Sequence, residues 1–100
     1  MNDTDSANSI RITAKVFGGL RDEFQGGTQV RTLPIASTLS DLMQDLGDHF
    51  PDLYQKLETG LAAGYLNILI NGKHSRFLQG RDTQLQDGDV VAFLPPVGGG

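Results

Sequence analysis

One amphipathic stripe, set between segments with strand-like patterns, limits most strongly what this chain can fold into. Five apolar residues occupy positions i, i+3, i+4, i+7 and i+11, which is the spacing of one face of an α-helix. These residues are Leu39, Leu42, Met43, Leu46 and Phe50. Ser37 and Thr38 precede the stripe and predict a capped helix start. Methionine and phenylalanine on such a stripe are typical of a core, so we expect it to pack against a sheet.

Two strands are predicted before this helix. Residues 10–17 alternate apolar and polar side chains, the period of a half-buried strand. Residues 28–35 predict a second strand, with three side chains available to the core: Val30, Leu33 and Ile35. The connection between the two strands is too long for a two-residue hairpin, and it favours a short helical turn.

Less regular segments follow the stripe. Pro51 suits the first turn of a helix and predicts a short second helix that ends near Glu58. Residues 60–64 begin and end with glycine and predict a flexible connection. The chain is therefore expected to have one main helix.

Three further strand segments complete the pattern. Residues 65–70 are strongly apolar, and the Asn-Gly pair at 71–72 is a good signal for a hairpin turn. Residues 75–78 are the expected partner in that hairpin, and residues 90–94 form a final strand after a turn at 87–89. The order strand, strand, helix, strand, short strand, strand predicts an α+β fold with the main helix packed on one face of the sheet.

Length and composition fit one small domain. With 100 residues, of which 38% are hydrophobic and 20% charged, the chain is large enough for a single modest core. We expect residues 1–9 to be a disordered leader, residues 10–94 to fold, and residues 95–100 to form a flexible tail. Neither a secretory signal nor an apolar run of membrane-spanning length is visible, so we expect a cytoplasmic protein with no membrane partner.

The charge and the residue inventory argue against several classes of function. A net charge of −4 argues against nucleic acid as a partner, because phosphate binding favours a basic surface. The absence of cysteine excludes disulfides, cysteine-ligated zinc and a thiol nucleophile. His49 and His74 lie far apart in the sequence, and the helical spacing of Asp41, Asp45 and Asp48 is typical of a solvated face. We therefore expect no bound metal and no catalysis by side chains.

The last six residues carry the strongest functional signal. Pro95 and Pro96 cannot donate to a sheet ladder, so the preceding strand has to stop there or lie at an edge. Val97 is followed by three glycines, residues 98–100, which would place a free α-carboxylate on a thin stalk. That is the shape required of a group that another enzyme threads into a narrow channel. A frayed terminus is the alternative interpretation.

Several short segments together carry a resemblance to a known family. Residues 17–22 have an aromatic residue followed by Leu-Arg-acid, and residues 71–72 have the hairpin Asn-Gly. Asp-Gly-Asp, Val-Ala-Phe, Pro-Pro-Val and Gly-Gly then follow in order over residues 87–100. On these segments the chain resembles the ubiquitin-like sulfur carriers of the MoaD/ThiS family, most closely MoaD, the small subunit of molybdopterin synthase. The resemblance spans residues 10–100 and implies a β-grasp fold, with a mixed sheet of four to five strands and one main helix.

The resemblance also implies a mechanism. An E1-like enzyme similar to MoeB would adenylate the Gly100 carboxylate with ATP and Mg²⁺, and sulfur transfer would convert the acyl-adenylate to a thiocarboxylate. The charged carrier would insert its tail into a MoaE-like large subunit, in a heterotetramer, and give sulfur to cyclic pyranopterin monophosphate to build the dithiolene of molybdopterin. The chain would then bind no cofactor stably and would not be an enzyme by itself, because the active site would lie mainly on the large subunit.

The same resemblance implies which residues act. Gly100 would carry the reactive carboxyl group, and Gly99 would allow close approach because it has no Cβ. The residues expected to contact the partner are Leu94, Pro95, Pro96, Val97 and Gly98. On the last strand we expect Val91 and Phe93 to face the core and Leu94 to lie nearer the interface. Since Gly100 ends the chain, no processing protease is expected.

Other functions remain open for a chain with this tail. A thiazole-forming carrier like ThiS, or a carrier for another sulfur-requiring pathway, would have the same ending. A modifier of the archaeal small-modifier type would instead form an isopeptide bond from Gly100 to a partner lysine. A β-grasp interaction module with an inert tail is the alternative from a different class. Among the carriers, the Pro-Pro-Val at residues 95–97 favours MoaD.

Overall fold

The computed structural model describes residues 8–95, in which five strands and two α-helices follow one another. Their bounds are β1 (Ser9–Val16), β2 (Thr28–Pro34), α1 (Leu39–His49), α2 (Pro51–Ala63), β3 (Asn67–Ile70), β4 (Lys73–His74) and β5 (Val90–Leu94). Short 3-10 helices lie at Gly18–Glu23, Gln25–Gly27, Ser75–Phe77 and Gly80–Asp82. Ser9, which we expected to end the leader, is the first residue of β1, and residues 1–7 lie outside the described range.

The five strands form one mixed sheet in the order β2-β1-β5-β3-β4. β1 and β5 are parallel, and the other neighbouring strands are antiparallel. The predicted α+β class and mixed sheet are confirmed. Because the first and last strands pair in the middle of the sheet, the chain arrives at its C-terminal segment from the centre of the fold.

The predicted helical stripe is confirmed as part of the core. Leu39, Leu42, Met43 and Leu46 are all fully buried. Phe50 packs at the margin of this core, and its ring lies 4.8 Å from that of Phe24 in an edge-to-face contact. The facing side chains of the sheet are Ile10, Ile12, Ala14, Val16, Ile68, Ile70, Val91 and Phe93.

The start of α1 is also as predicted. The Thr38 hydroxyl accepts a hydrogen bond from the backbone N–H of Asp41 at 3.3 Å, and the Asp41 carboxylate accepts one from the backbone N–H of Thr38 at 2.9 Å. This reciprocal capping box satisfies two N–H groups that have no partner within the helix. It fixes where the stripe begins, and so which residues reach the sheet.

The second helix is longer than predicted. α2 continues to Ala63 and includes Gly60, which we had expected in a flexible connection. A Cβ at Gly60 would lie 3.1 Å from the Cβ of Leu66, so the missing side chain lets the helix end pack closely against the chain that leads to β3. Gly64 then ends the helix in the left-handed conformation, with φ of 80°. The connection predicted at residues 60–64 is therefore wrong, because these glycines serve packing and capping.

The predicted core face of β2 is only partly right. Leu33 is buried, but Val30 and Ile35 are 54% and 59% exposed. The register places Val30 opposite Thr13, on the face away from the helices. Ile35 lies just beyond the end of the strand, where its N–H donates to the carbonyl of Asn8 at 3.0 Å. Apolar residues fall on both faces of this strand, so the pairing with β1 decides which of them is buried.

The hairpin after β3 has the predicted turn but a different second strand. Asn71 and Gly72 have φ values of 52° and 85°, and two left-handed residues are what a type I′ turn requires. Pairing therefore resumes at once, with Lys73 opposite Ile70. The partner strand predicted at residues 75–78 is wrong, since most of that segment forms a 3-10 helix.

Candidate functional site

The last strand carries two classes of side chain, one on each face of the sheet. Val91 and Phe93 are fully buried against the helices, as predicted. Val90, Ala92 and Leu94 alternate with them and are half-buried on the opposite face. Leu94, the first of the predicted partner-contact residues, is thus the last side chain of the strand on the face that the helices leave open.

Strand pairing with β1 on one side and β3 on the other holds the end of β5 in place. Phe93 lies opposite Val16 of β1 and Ile68 of β3, and Leu94 lies opposite Asn67. β5 ends at Leu94, as expected for a strand followed by Pro95, which has no N–H to donate. The point at which the C-terminal segment leaves the sheet is therefore fixed by ladders on two neighbours.

The turn before β5 ties the start of the same strand to both neighbours. The carboxylate of Asp87 accepts from the backbone N–H of Arg11 at 2.8 Å. The side-chain amide of Asn71 donates to the Asp89 carboxylate at 2.8 Å, and its oxygen accepts from the N–H of Val90 at 2.9 Å. The sequence identified these residues as turns, but the pairing of the two turns through Asn71 and Asp89 had no signal in the local pattern.

The open face of the sheet has an apolar centre beside exposed cations. Across this face Ala92 lies between Lys15 of β1 and Leu69 of β3. Leu69 and Ala92 are half-buried, and Arg11 and Lys15 are exposed. Lys15 and Leu94 lie near the point where β5 ends, whereas Arg11 lies near its start, where its carbonyl accepts from the N–H of Gly88.

Two titratable residues of α1, Asp45 and His49, lie close to Arg31 of β2. Asp45 accepts from the Arg31 guanidinium, with Nε to Oδ2 at 2.6 Å, and is half-buried. It therefore fastens α1 to β2, which the interpretation as a solvated carboxylate face did not foresee. His49 lies near the same arginine, whose Nη2 is 3.1 Å from the imidazole Nδ1.

The second histidine lies beside the open face. His74 Nε2 is 2.9 Å from the side-chain oxygen of Asn67, and its Nδ1 accepts from the backbone N–H of Arg76 at 3.1 Å. Among residues 8–95, no three His, Asp or Glu side chains are grouped so as to hold a metal ion. Over the same range, no helix is long and apolar enough to cross a membrane.

Of the predicted site residues, the structure describes Leu94 and Pro95. Pro95 is half-buried and rests against Gly18, the first residue of the 3-10 helix after β1. The remaining predicted contacts (Pro96, Val97 and Gly98) and the predicted reactive pair, Gly99 and Gly100, lie outside the described residues. Their roles stay predictions.

Comparisons with known proteins agree with this architecture. The ThiS family model matches residues 14–100. The chain is 37% identical to small archaeal modifier protein 3 of Haloferax volcanii over 65 residues, which cover 64% of this chain and 71% of that protein. It is 31% identical to the sulfur carrier protein CysO of Mycobacterium tuberculosis over 78 residues, or 74% of this chain and 84% of CysO.

A solved structure shows the same fold. The small archaeal modifier protein 1 of Methanosarcina acetivorans superposes with a TM-score of 0.76 at 31% identity, covering 92% of this chain and 98% of that one. The family match includes the end of β1, all of β5 and the C-terminal glycines. This chain belongs to the ThiS family of ubiquitin-like sulfur carriers.

Proposed function

We propose that the chain carries sulfur as a thiocarboxylate on the α-carboxyl group of Gly100. The observation that carries this proposal is the family match, which continues past the last strand to residue 100. The fold supports it, because the chain reaches Pro95 directly from β5, a strand at the centre of the sheet. No side-chain cluster for catalysis is needed on the carrier, since the chemistry takes place on its terminal carboxyl group.

The proposed activation has two steps. A carboxylate oxygen of Gly100 attacks the α-phosphorus of ATP in an E1-like enzyme with Mg²⁺, and pyrophosphate leaves. A sulfide equivalent from the sulfur source then attacks the carbonyl carbon, and AMP leaves with the oxygen that had bonded to phosphorus. A carboxylate is a poor electrophile until adenylation turns its oxygen into part of a good leaving group, AMP. Activation therefore needs close access to the carboxyl carbon. Glycine at positions 99 and 100 permits that access because no Cβ intervenes.

We propose molybdopterin synthesis as the destination of the sulfur. In this proposal the charged carrier binds a MoaE-like large subunit, and the Gly100 thiocarboxylate gives its sulfur to cyclic pyranopterin monophosphate. The Pro-Pro-Val at residues 95–97, directly before the glycines, supports this destination. The similarity to CysO supports a carrier for another sulfur-requiring pathway equally well.

A second candidate function is protein modification. It is supported by the similarity to small archaeal modifier proteins 1 and 3. Here the same acyl-adenylate would pass its acyl group to a lysine amine of a partner, forming an isopeptide bond at Gly100. The two candidates share the first step and differ in the nucleophile that takes the activated carbonyl.

The docking surface in either case is proposed on the open face around the end of β5. Leu94, Ala92 and Leu69 supply its apolar centre, and Lys15 supplies a cation beside it. A partner that binds there lies next to Pro95. It can therefore receive residues 96–100 without disturbing the core.

A reconstitution separates these functions. The chain is incubated with an E1-like enzyme, ATP, Mg²⁺ and a sulfur source, and is then offered either a large synthase subunit with cyclic pyranopterin monophosphate or a mixture of lysine-containing proteins. Dithiolene formation supports the synthase assignment, and a covalent lysine adduct in its place supports the modifier.

A truncation controls this experiment. Deletion of residues 99–100 should abolish transfer and leave thermal stability nearly unchanged, because glycines bury little apolar area. Appreciable sulfur transfer by the truncated chain would contradict the carrier proposal.

A further inference from the structure

We propose that Gly18 is a positioning residue for the C-terminal segment. Pro95 packs directly against its Cα, and this contact sets the direction in which the chain continues after Pro95. The consequence for activity rests on the proposed function, since direction matters when Gly100 has to enter another enzyme. The contact joins two positions that lie at opposite ends of the folded chain. Neither position carries a reactive side chain.

The contact leaves no room for a side chain at position 18. A Cβ on Gly18 would lie 2.9 Å from Cγ of Pro95 and 3.8 Å from its Cδ. Gly18 also has φ of +60°, which places it in the left-handed region that favours glycine. A residue other than glycine would therefore have to displace Pro95 or change the backbone that follows β1.

Pro95 has little freedom to yield by itself. Its ring locks φ near −65°, so Cγ can move only by the limited change of ring pucker and not by rotation of a flexible side chain. The strand behind it is held on both sides, with Phe93 opposite Val16 and Leu94 opposite Asn67. Any adjustment on the β5 side is thereby concentrated at the peptide units around Pro95, where the C-terminal segment begins.

A small rotation there is amplified along the segment. If a partner receives residues 96–100 in an extended form, at about 3.1 Å each, they would span about 15 Å, and a rotation of about 20° at Pro95 would move the terminal carboxyl group by about 5 Å. Misplacement of a reacting group by about 1 Å can reduce a rate by about a hundredfold. The partner can redirect the segment, but only by spending binding energy. We therefore expect Gly18→Ala to slow thiocarboxylate formation at least tenfold in kcat/KM.

The chain offers a matched control for backbone strain. Gly26 lies in the same loop with φ of +79°, and a Cβ there would meet no atom within 4 Å. Gly26→Ala therefore introduces an unfavourable φ without touching Pro95. Both variants should lose stability through the unfavourable φ, but only Gly18→Ala should lose activity if Gly18 acts through its contact with Pro95.

A structural readout tests the direction without any enzyme. The chain has no cysteine, so Gly98→Cys gives one site for a nitroxide label. Paramagnetic broadening of backbone amides maps where the labelled segment lies relative to the body. We expect Gly18→Ala to change the set of broadened amides and Gly26→Ala to leave that set unchanged. An unchanged set in Gly18→Ala would overturn the proposal.

A double-mutant cycle tests the contact itself, using unlabelled protein with the natural Gly98. Pro95→Ala removes Cγ, so Gly18→Ala should have no further effect on thiocarboxylate formation in that background. Equal slowing by Gly18→Ala with and without Pro95→Ala would contradict the proposal, as would equal slowing by Gly18→Ala and Gly26→Ala. Should Gly18→Ala not fold, Pro95→Ala tests the same contact from the other side, and its label map should differ from that of the wild type. If the wild-type chain forms no thiocarboxylate, the proposed function fails, while the label maps still decide the role of Gly18.

Discussion

Val16 of β1 and Phe93 of β5 lie opposite each other in the central parallel pair, and both are buried, with 2% and 0% of their surface exposed. One residue further along each strand, the exposure changes. Phe17 is 40% exposed and Leu94 is half-buried. The core thus reaches to within two residues of Pro95, and apolar side chains become accessible just where the C-terminal segment begins.

Leu94→Asp should weaken partner binding without unfolding the domain. Its side chain is half-buried on the open face, so a carboxylate there would be desolvated in the complex. A residue at the centre of an interface is worth about 2 kcal/mol or more, which is a rise of more than tenfold in Kd. Calorimetric titration with the activating enzyme or the large subunit measures this. Ile35→Asp, at an exposed apolar residue beyond the end of β2, is the control and should bind normally. Unchanged affinity for Leu94→Asp would show that the docking surface lies elsewhere.

The terminal glycines should differ in their tolerance of a methyl group. Ordering a glycine-rich segment costs about 1–2 kcal/mol per residue, so a receiving channel has to bind bare backbone closely. Gly99→Ala and Gly100→Ala should slow activation or transfer strongly, and Gly98→Ala should have a mild effect. Thiocarboxylate formation and dithiolene synthesis are measured separately for each variant. Equal tolerance at the three positions would mean that the segment acts only as a tether.

The sequence predicted best those elements whose pattern has a single interpretation. The stripe from Leu39 to Leu46 has one helical face, and its burial follows from that periodicity. Val91 and Phe93 on β5 were likewise placed correctly by alternation. In both elements the apolar residues lie on one face, so local order and tertiary packing agree.

The errors arose where local pattern and tertiary contact differ. On β2 one of the inward positions is occupied by Arg31, which lies opposite buried Ile12 and reaches Asp45 on α1. An arginine at the sheet edge can satisfy its charge in this way, but its sequence neighbours do not reveal the partner. Gly60 gave the same difficulty, because its close approach to Leu66 is visible only in the fold. The contact between Pro95 and Gly18 is likewise visible only in the fold.

Gly47→Ala should destabilise the protein although alanine favours helices. A Cβ at Gly47 would lie 2.7 Å from Cγ of Tyr54 and 3.0 Å from its Cβ, which are atoms close to the α2 backbone. The gain in helix propensity is about 1 kcal/mol, and the cost of overpacking is about 1–3 kcal/mol. We expect a net loss of about 1 kcal/mol in the free energy of unfolding, measured with urea. In the Tyr54→Ala background the same substitution should stabilise. Stabilisation by Gly47→Ala alone would show that the two helices can separate without cost.

The ion pair between Glu58 and Arg81 should give a small part of the stability a dependence on acid. Two hydrogen bonds, at 2.9 and 3.0 Å, join the guanidinium to the carboxylate. Hydrogen bonding from Arg81 lowers the pKa of Glu58 below its ordinary value of 4.5. Because the pKa of Glu58 is lower in the folded state, its ionised carboxylate stabilises the protein at pH values above the ordinary pKa of 4.5. This stabilisation is lost as the pH falls through the pKa of the folded state.

Glu58→Gln tests this dependence. At neutral pH the variant should be less stable by about 0.2–1 kcal/mol, the range for partly exposed pairs, and the difference should vanish in acid below the folded pKa. Urea unfolding across that pH range measures both limits. Asp48→Asn, which removes an exposed carboxylate bonded to Gln44, is the control and should show no such trend. A difference that persists in acid would mean that the Glu58 carboxylate stabilises the fold by packing.

The most direct test of the proposed sulfur-carrier chemistry is the intact mass of the chain after activation. The protein is incubated with the E1-like enzyme of the same organism, ATP, Mg²⁺ and a sulfur source, and fragmentation locates any change. We predict a mass gain equal to the replacement of one oxygen by one sulfur, confined to the C-terminal peptide and absent when ATP is omitted. An unchanged mass, under conditions in which the same enzyme consumes ATP with this chain bound, would contradict the proposal that Gly100 carries sulfur.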